Sequence, residues 1–370
     1  MPSARLRAMR PVCVRIMHPG LGPDPAPLER WLAEVRGAVA RRHAAGFAAA
    51  GASDVEIVSA PPDATPFGAR LRDILSHGGD DGLVVLGSGA IPLATAADRH
   101  AFVAAAGADD RRALANNRYS ADVVAIARTA TLPAIPDLPG DNALPRWLEE
   151  VAGYRVDDLR RRWRLGFDID GPLDIVLLRP RDEAPVDVGL VSARLASIRG
   201  VAADPRAELL IAGRTSAATL AWLERHTEGR VRAWVEERGL RAASRLATSV
   251  TTTRAGNLRR PTSVLGIVLD AAGPEALGPL LARMCDAAIV DTRVLLAHRL
   301  GADETTWPPA EDRFASDLLL SERVVDPWLR ALTASAAAAP IPILLGGHTL
   351  VGPGVRLVIG KRGVRGSSWT

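Results

Sequence analysis

Aromatic residues are scarce, at 4% of 370 residues, while Ala, Arg, Gly and Pro are abundant. That is the kind of bias a GC-rich genome produces. Only two cysteines occur, Cys13 and Cys285, and neither has a CxxC partner. Reduced thiols in packed interiors are therefore expected, in a cytosolic setting. No window approaches the length of an apolar membrane span. The basic stretch Met1–Arg10 is followed by no signal-length apolar core, because Val12–Met17 runs straight into His18-Pro19-Gly20. A cytoplasmic protein without a membrane partner is the expectation. There is no long basic block. The net charge is only +4, and the pI of 9.7 reflects an arginine excess, so nucleic-acid binding is not indicated. Short-period repeats are absent, as are the GxGxxG and GxxxxGK[ST] patterns.

Against these absences stands an apolar content of 48%, enough for substantial cores. The length suggests two domains or one large one. Strands are predicted at Pro11–Met17, Val55–Val58, Gly82–Gly87 and Val123–Ala127. Between them, helical spacing runs through Leu28, Trp31, Leu32, Val35 and Val39, with a start at Asp24-Pro25, and recurs over Phe67–Leu75, Thr95–Ala105 and Leu144–Val151. A further strand carries Asp168 and Asp170. The second half alternates likewise. Its strands are predicted at Glu208–Gly213, Val231–Val235, Val264–Leu269, Ala287–Val290, Ile341–Leu345 and Val355–Ile359. Its helices are predicted at Thr215–His226, Pro274–Met284, Glu311–Leu320 and Pro327–Ala339. This pattern predicts an α/β fold: a three-layer sandwich with a mainly parallel sheet over 1–180, then a second α/β domain over 188–370. The charged, Pro-containing stretch Pro180–Asp187 reads as a linker, and Ala247–Pro261 as a mobile loop. The Ala-rich stretch Trp328–Ala339 can pack within one chain or between subunits, which leaves an oligomer open.

In open α/β sheets, ligands gather outside the carboxyl ends of strands. The first half delivers Gly87-Ser88-Gly89-Ala90 there, and then Gly166-Phe167-Asp168-Ile169-Asp170-Gly171-Pro172-Leu173-Asp174. The Ser88-Gly89 loop lets a ligand approach the backbone closely, or is an ordinary tight turn. On a strand, Asp168 and Asp170 share one face. Two acids delivered at a strand end suit a divalent cation, or make an ordinary turn. Asn117, Arg118 and Ser120, with Asn116 and Asp122, cluster just before a strand. They line a substrate cleft or form a polar loop.

Three landmarks in succession resemble the GT-A-like nucleotidyltransferases of the molybdenum-cofactor guanylyltransferase group, and within it the phospholactate guanylyltransferases. The landmarks are Gly87–Leu93, Gly140–Leu148 and Phe167–Asp174, and the resemblance covers roughly residues 80–178. It implies a nucleotide-diphospho-sugar-transferase-like fold and a nucleotide or phosphorylated metabolite as ligand. It also implies Mg²⁺ held by Asp170, with Asp168 beside it, and attack on the α-phosphorus of a nucleoside triphosphate. Ser88, Gly89, Asn117, Arg118 and Ser120 become the nucleotide-binding candidates. The chain departs from the family pattern twice. Ala90 stands where the family's Asp-x-Pro-Leu step has its metal-binding Asp, and a methyl group cannot ligate a hard cation. Met17–Gly22 replaces the Gly-rich, Arg- and Lys-containing triphosphate loop. A catalytically inactive scaffold or sensor on the same fold is therefore the alternative expectation.

The second half has its own candidates: Arg214, Asp270, Asp291 and His348, each placed at a predicted strand end. Gly213–Ser216 opens a helix and reads as an anion site or as an N-cap. If Arg214, Asp270, Asp291 and His348 meet in one cleft, they form the site of an unrelated enzyme.

Overall fold

The computed structural model describes residues 10–60, 63, 65–77, 82–138, 140–178, 184–237 and 261–360. The described chain forms two compact units. Residues 10–23 and 33–168 make the first; residues 24–32, 169–237 and 261–360 make the second. The loop predicted at Ala247–Pro261, save Pro261, lies outside the described residues, and so does part of the Pro180–Asp187 linker.

The first unit is built on β1 (Val12–Pro19), β2 (Asp54–Ala60), β3 (Gly82–Gly87), β4 (Arg112–Ala115), β5 (Val123–Ile126) and β6 (Arg155–Asp158), in the order β2-β1-β3-β5-β4-β6. Only β5 runs antiparallel to its neighbours, so five of the six strands share one direction. Alternation along the strands sorts the core onto two faces. Val84 and Leu86 of β3 and Val123 and Ala125 of β5 pack with Ala40 and Phe47 of α1 (Pro27–Ala49) and with Phe102 and Val103 of α3 (Ala96–Ala106). Leu83, Val85, Val124 and Ile126 face the other way, onto Leu71 of α2 (Phe67–Ser76) and Leu144, Trp147 and Leu148 of α4 (Leu144–Glu150). Helices thus cover both faces. Helix α3 starts where the sequence signals it: Thr95 caps it and Asp98 completes a capping box. The buried Asp98 carboxylate also takes Arg162 at 2.7 Å. Helix α1 begins at Pro27, not at Asp24-Pro25, and its first residues group with the second unit.

Phe167–Asp170 is not a strand. The segment is irregular, and Gly171-Pro172 opens helix α5 (Pro172–Leu178). Proline is at home in a first turn, where its missing N–H leaves no bond unmade.

The second unit carries a fully parallel sheet, β10-β9-β7-β8, made of β7 (Glu208–Gly213), β8 (Arg230–Val235), β9 (Ala287–Asp291) and β10 (Ile343–Gly346). Strands β9 and β10 are buried throughout, as a parallel sheet covered on both faces requires, while β8 is a largely exposed edge. The remaining helices are α6 (Gly189–Ala202), α7 (Ala217–His226), α8 (Val264–Ala272), α9 (Leu277–Ala282), α10 (Thr292–Leu300), α11 (Ala310–Asp317), α12 (Pro327–Ala338), α13 (His348–Val351) and α14 (Val355–Ile359). The strands predicted at Val264–Leu269 and Val355–Ile359 are therefore helices. Ser263 caps α8 by accepting from the Gly266 N–H, and that helix ends at Gly273 with φ 85°. Among the described residues no single helix is long and apolar enough to cross a membrane.

Candidate functional site

In the first unit, β1 and β3 lie side by side, and their carboxyl ends bring His18 to Ser88. His18 Nδ1 sits 3.0 Å from Ser88 Oγ, and the Ser88 N–H donates to Met17 O at 2.9 Å. Ser88 is buried. The loop after it is held from α1. His43 Nε2 donates to Ala90 O at 2.8 Å, and Arg42 donates to Pro92 O. Burial, then the Arg99 charge, push the His43 pKa down to about 3. His43 is therefore a neutral imidazole that donates through Nε2 and turns Nδ1 towards Arg99, 3.5 Å away. Ile91, fully buried, takes φ 40°, an uncommon angle for a β-branched residue.

The polar loop before β5 lies beside this turn, since the Gly87 N–H donates to Asp122 O at 3.3 Å. Its members are mostly engaged locally. Asn117 Oδ1 accepts from the Tyr119 N–H at 3.1 Å, an Asx turn. Arg118 pairs with Glu149 and lies 5.6 Å over the exposed Tyr119 ring. Ser120 is exposed. Asn116 bridges Asp122 and the Leu165 carbonyl, which makes it a structural tie.

In the second unit, parallel pairing sets the ends of β7, β9 and β10 along one edge, with Gly346 opposite Asp291. Arg214 forks onto the fully buried Asp291, with Nε to Oδ2 at 2.7 Å and Nη2 to Oδ1 at 3.2 Å. Gly213, at φ 131°, allows this approach: a β-carbon there would stand 2.2 Å from Asp291 Cβ. Ser216 caps α7 by accepting from the Thr219 N–H, so the N-cap reading of Gly213–Ser216 is the one realised. Arg293 forks onto Asp317 at 2.5 and 2.6 Å. Burial works against the Arg293 charge, but the Asp317 carboxylate outweighs it and raises its pKa.

Asp174 completes this edge. Its Oδ2 accepts from the Asp170 and Gly171 N–H groups, both at 2.9 Å. Burial first, and then the Asp170 charge, push its pKa up to about 8. Asp174 is thus a protonated acid near neutrality that fixes the backbone of the Asp170 turn. His348, at the start of α13, stands with Nδ1 3.6 Å from Asp170 Oδ2. Asp168 precedes Asp170 by two residues, where the chain passes into the second unit.

Of the second-half candidates, Arg214 and Asp291 meet each other and His348 meets Asp170. Asp270 does neither. It lies on α8, not at a strand end, and its carboxylate accepts from His298 Nε2 at 3.0 Å. Sequence reasoning missed Asp317, the capping role of Asp174, and the pairing of His18 with Ser88. The only local signal for any of these was the acid three residues after Gly171, at a proline-started turn. In comparison with known proteins, no family model matches the chain and no curated protein matches it.

Proposed function

We propose that the chain is a divergent, GT-A-like nucleotidyltransferase relative that binds a nucleotide or phosphorylated metabolite with the help of a divalent cation. The observation that carries this is the approach of His348 Nδ1 to Asp170 Oδ2, 3.6 Å apart, with Asp168 two residues earlier in the chain. The first unit's mixed sheet, with one antiparallel strand and helices on both faces, supports the fold part of the reading. Two carboxylates and an imidazole fit a divalent ion. The carboxylates suit Mg²⁺, and the imidazole nitrogen makes Mn²⁺ the better match of the two. A cation bound there would neutralise charge on phosphoryl oxygens. The chain's own residues supply the rest. Asp168 and Asp170 present the oxygens, and Asp174 keeps the Asp170 turn in place through its two backbone bonds. Such a ligand belongs to the cytoplasmic nucleotide pool.

Ala90 favours a second reading on the same fold, binding without transfer, because the family's other metal-binding acid is missing. Calorimetric titration of Mn²⁺ and Mg²⁺, followed by GTP and ATP, tests both readings on the full chain. Nucleotide binding that needs the metal and disappears in Asp170→Asn supports a metal site. Pyrophosphate release on adding phosphorylated acceptors then separates transfer from binding alone. If no triphosphate binds in a metal-dependent way, and Asp170→Asn behaves as the parent does, the proposal is wrong.

A further inference from the structure

We infer that the β8 edge of the second unit docks a second copy of this chain, so that two four-stranded sheets join across a two-fold axis at Ala233. The inference goes beyond the nucleotide reading and does not depend on it. Among the described residues β8 pairs with β7 alone. Its bonds to β7 show which residues face the open side. The Arg230 N–H donates to Ala207 O at 2.9 Å, and the Glu236 N–H to Gly213 O at 3.0 Å. Each residue of a parallel strand directs its N–H and C=O to one edge, and the next residue directs them to the other. Arg230, Arg232, Trp234 and Glu236 therefore bond inwards, while Val231, Ala233 and Val235 aim both backbone groups outwards. Ala233 is exposed and Val235 is 59% exposed, so the edge is open.

An open edge is a template for another strand, and charged residues often guard it. Here the three outward residues carry no charge. The charges that flank them suit the strand's own copy: Arg230 and Arg232 lie at one end, Glu236 and Glu237 at the other. Two-fold symmetry makes the two edges antiparallel, so each basic end meets an acidic one. With the axis at Ala233, Val231 stands opposite the partner's Val235, and the outward residues exchange N–H···O bonds. The axis residue meets its own copy, and alanine is small and uncharged there. On the other face of the sheet, Arg230 comes opposite the partner's Glu236 and Arg232 opposite the partner's Trp234, an ion pair and a cation–π contact. The Arg230 side chain is 77% exposed, and Glu208, 3.9 Å from it, is held more closely by Arg232 at 2.5 Å. Glu236 accepts from the Val264 N–H through Oε1 at 2.8 Å and keeps Oε2. An axis at Arg232 would set like charges face to face, and one at Trp234 would set Val231 against Glu237.

Two short edges bury less than the roughly 800 Å² per partner of a stable interface. Helix α8, whose first N–H is the one bonded to Glu236, supplies more. Val264, Ile267, Val268 and Ala271 recur at i, i+3, i+4 and i+7 on its exposed side. That is the spacing of a helix face that packs on a neighbour, yet it is turned to solvent. The stripe starts at the end of β8 and extends the apolar area of the edge, so one contact covers both.

Sedimentation equilibrium of the full chain tests this. The parent's mass is expected to rise from 39.1 kDa towards twice that between about 1 and 100 µM protein. Val235→Pro removes an N–H that β7 does not use, so the fold survives, and the dimer weakens by about tenfold or more. Arg230→Glu weakens it by about tenfold, and adding Glu236→Arg restores it. Ile267→Glu weakens it as well. Thermal melts of dilute protein, close to the parent's, show that each variant folds. Cross-linking reads the register. Oxidised with diamide, Ala233→Cys is expected to form a disulfide between copies, because the axis pair lies about 5.5 Å apart at Cα, within disulfide reach. Arg230→Cys does not, since its two copies lie roughly 20 Å apart. A mass of 39.1 kDa throughout leaves the edge to some other partner and overturns the inference. So does a dimer that neither Val235→Pro nor Arg230→Glu weakens, or one in which Arg230→Cys cross-links as fast as Ala233→Cys.

Discussion

Replacing Asp174 with asparagine separates the cost of a buried charge from the value of its hydrogen bonds. The folded protein raises this carboxyl from 3.8 to about 8. A raised acid favours the folded state at low pH. Its contribution is complete below the unfolded pKa and is lost as pH rises through the window from about 4 to 8. At about 1.4 kcal/mol per pKa unit, the ceiling on that loss is about 5–6 kcal/mol. The ionised form keeps the two backbone N–H bonds, and local relaxation takes up part of the cost, so about 2–3 kcal/mol is the expected effect. Asparagine retains an acceptor oxygen for the Asp170 and Gly171 N–H groups and never ionises. Asp174→Asn is therefore expected to match the parent within about 1 kcal/mol at pH 5 and to exceed it by about 2–3 kcal/mol at pH 8.5. Urea unfolding at both pH values, in the presence of a chelator, measures this. A variant less stable than the parent by the same margin at both pH values would mean that Asp174 is ionised throughout, and the burial argument would be wrong.

Two further outcomes follow from the same kind of reasoning. Arg293→Met leaves Asp317 buried and uncompensated, at a cost of about 3–5 kcal/mol; Arg293→Met with Asp317→Leu is expected to recover most of it in a double-mutant cycle, and a double variant no better than the single one would refute a buried pair. His43, neutral with a pKa of about 3, lends stability above its unfolded value of 6.5 that drains away as pH falls towards 3. His43→Gln keeps a donor for Ala90 O and should flatten melting temperature between pH 6.5 and 4; an unchanged slope would contradict a buried neutral imidazole.

Much of the fold was legible where sequence signals agreed with one another. The β3 strand matched residue for residue because Gly82–Gly87 is short, apolar and bounded by turn residues. The start of α3 was expected at Thr95, the residue that caps it. The errors have physical causes. Val264–Leu269 is apolar and β-branched, which suits a buried strand, but Ser263 before it and Gly273 after it are helix punctuation and prevailed. Leu173–Leu178 was equally ambiguous by periodicity, and Pro172 decided for a helix. Strands β4 and β6 escaped notice because each spans four residues and carries arginine or aspartate. In the candidate site, Asp168 and Asp170 were visible because they stand two residues apart in one short motif. The pairing of His348 with Asp170, and that of Arg293 with Asp317, depend on how the parallel sheet aligns its strand ends, and local pattern does not encode that.

The split membership of α1 sets a timetable for synthesis. Leu28, Trp31 and Leu32 are buried and group with the second unit, and the Leu28 N–H donates to Glu311 Oε2, 283 residues later in the chain. At about 5–20 residues per second, a ribosome takes roughly 15–60 s to supply that partner. Throughout that interval the apolar start of the helix is displayed on the nascent chain, and for about the second half of it the first unit is already made to residue 168. It is there that a chaperone would bind first, and there that a stalled or truncated product would be recognised for degradation.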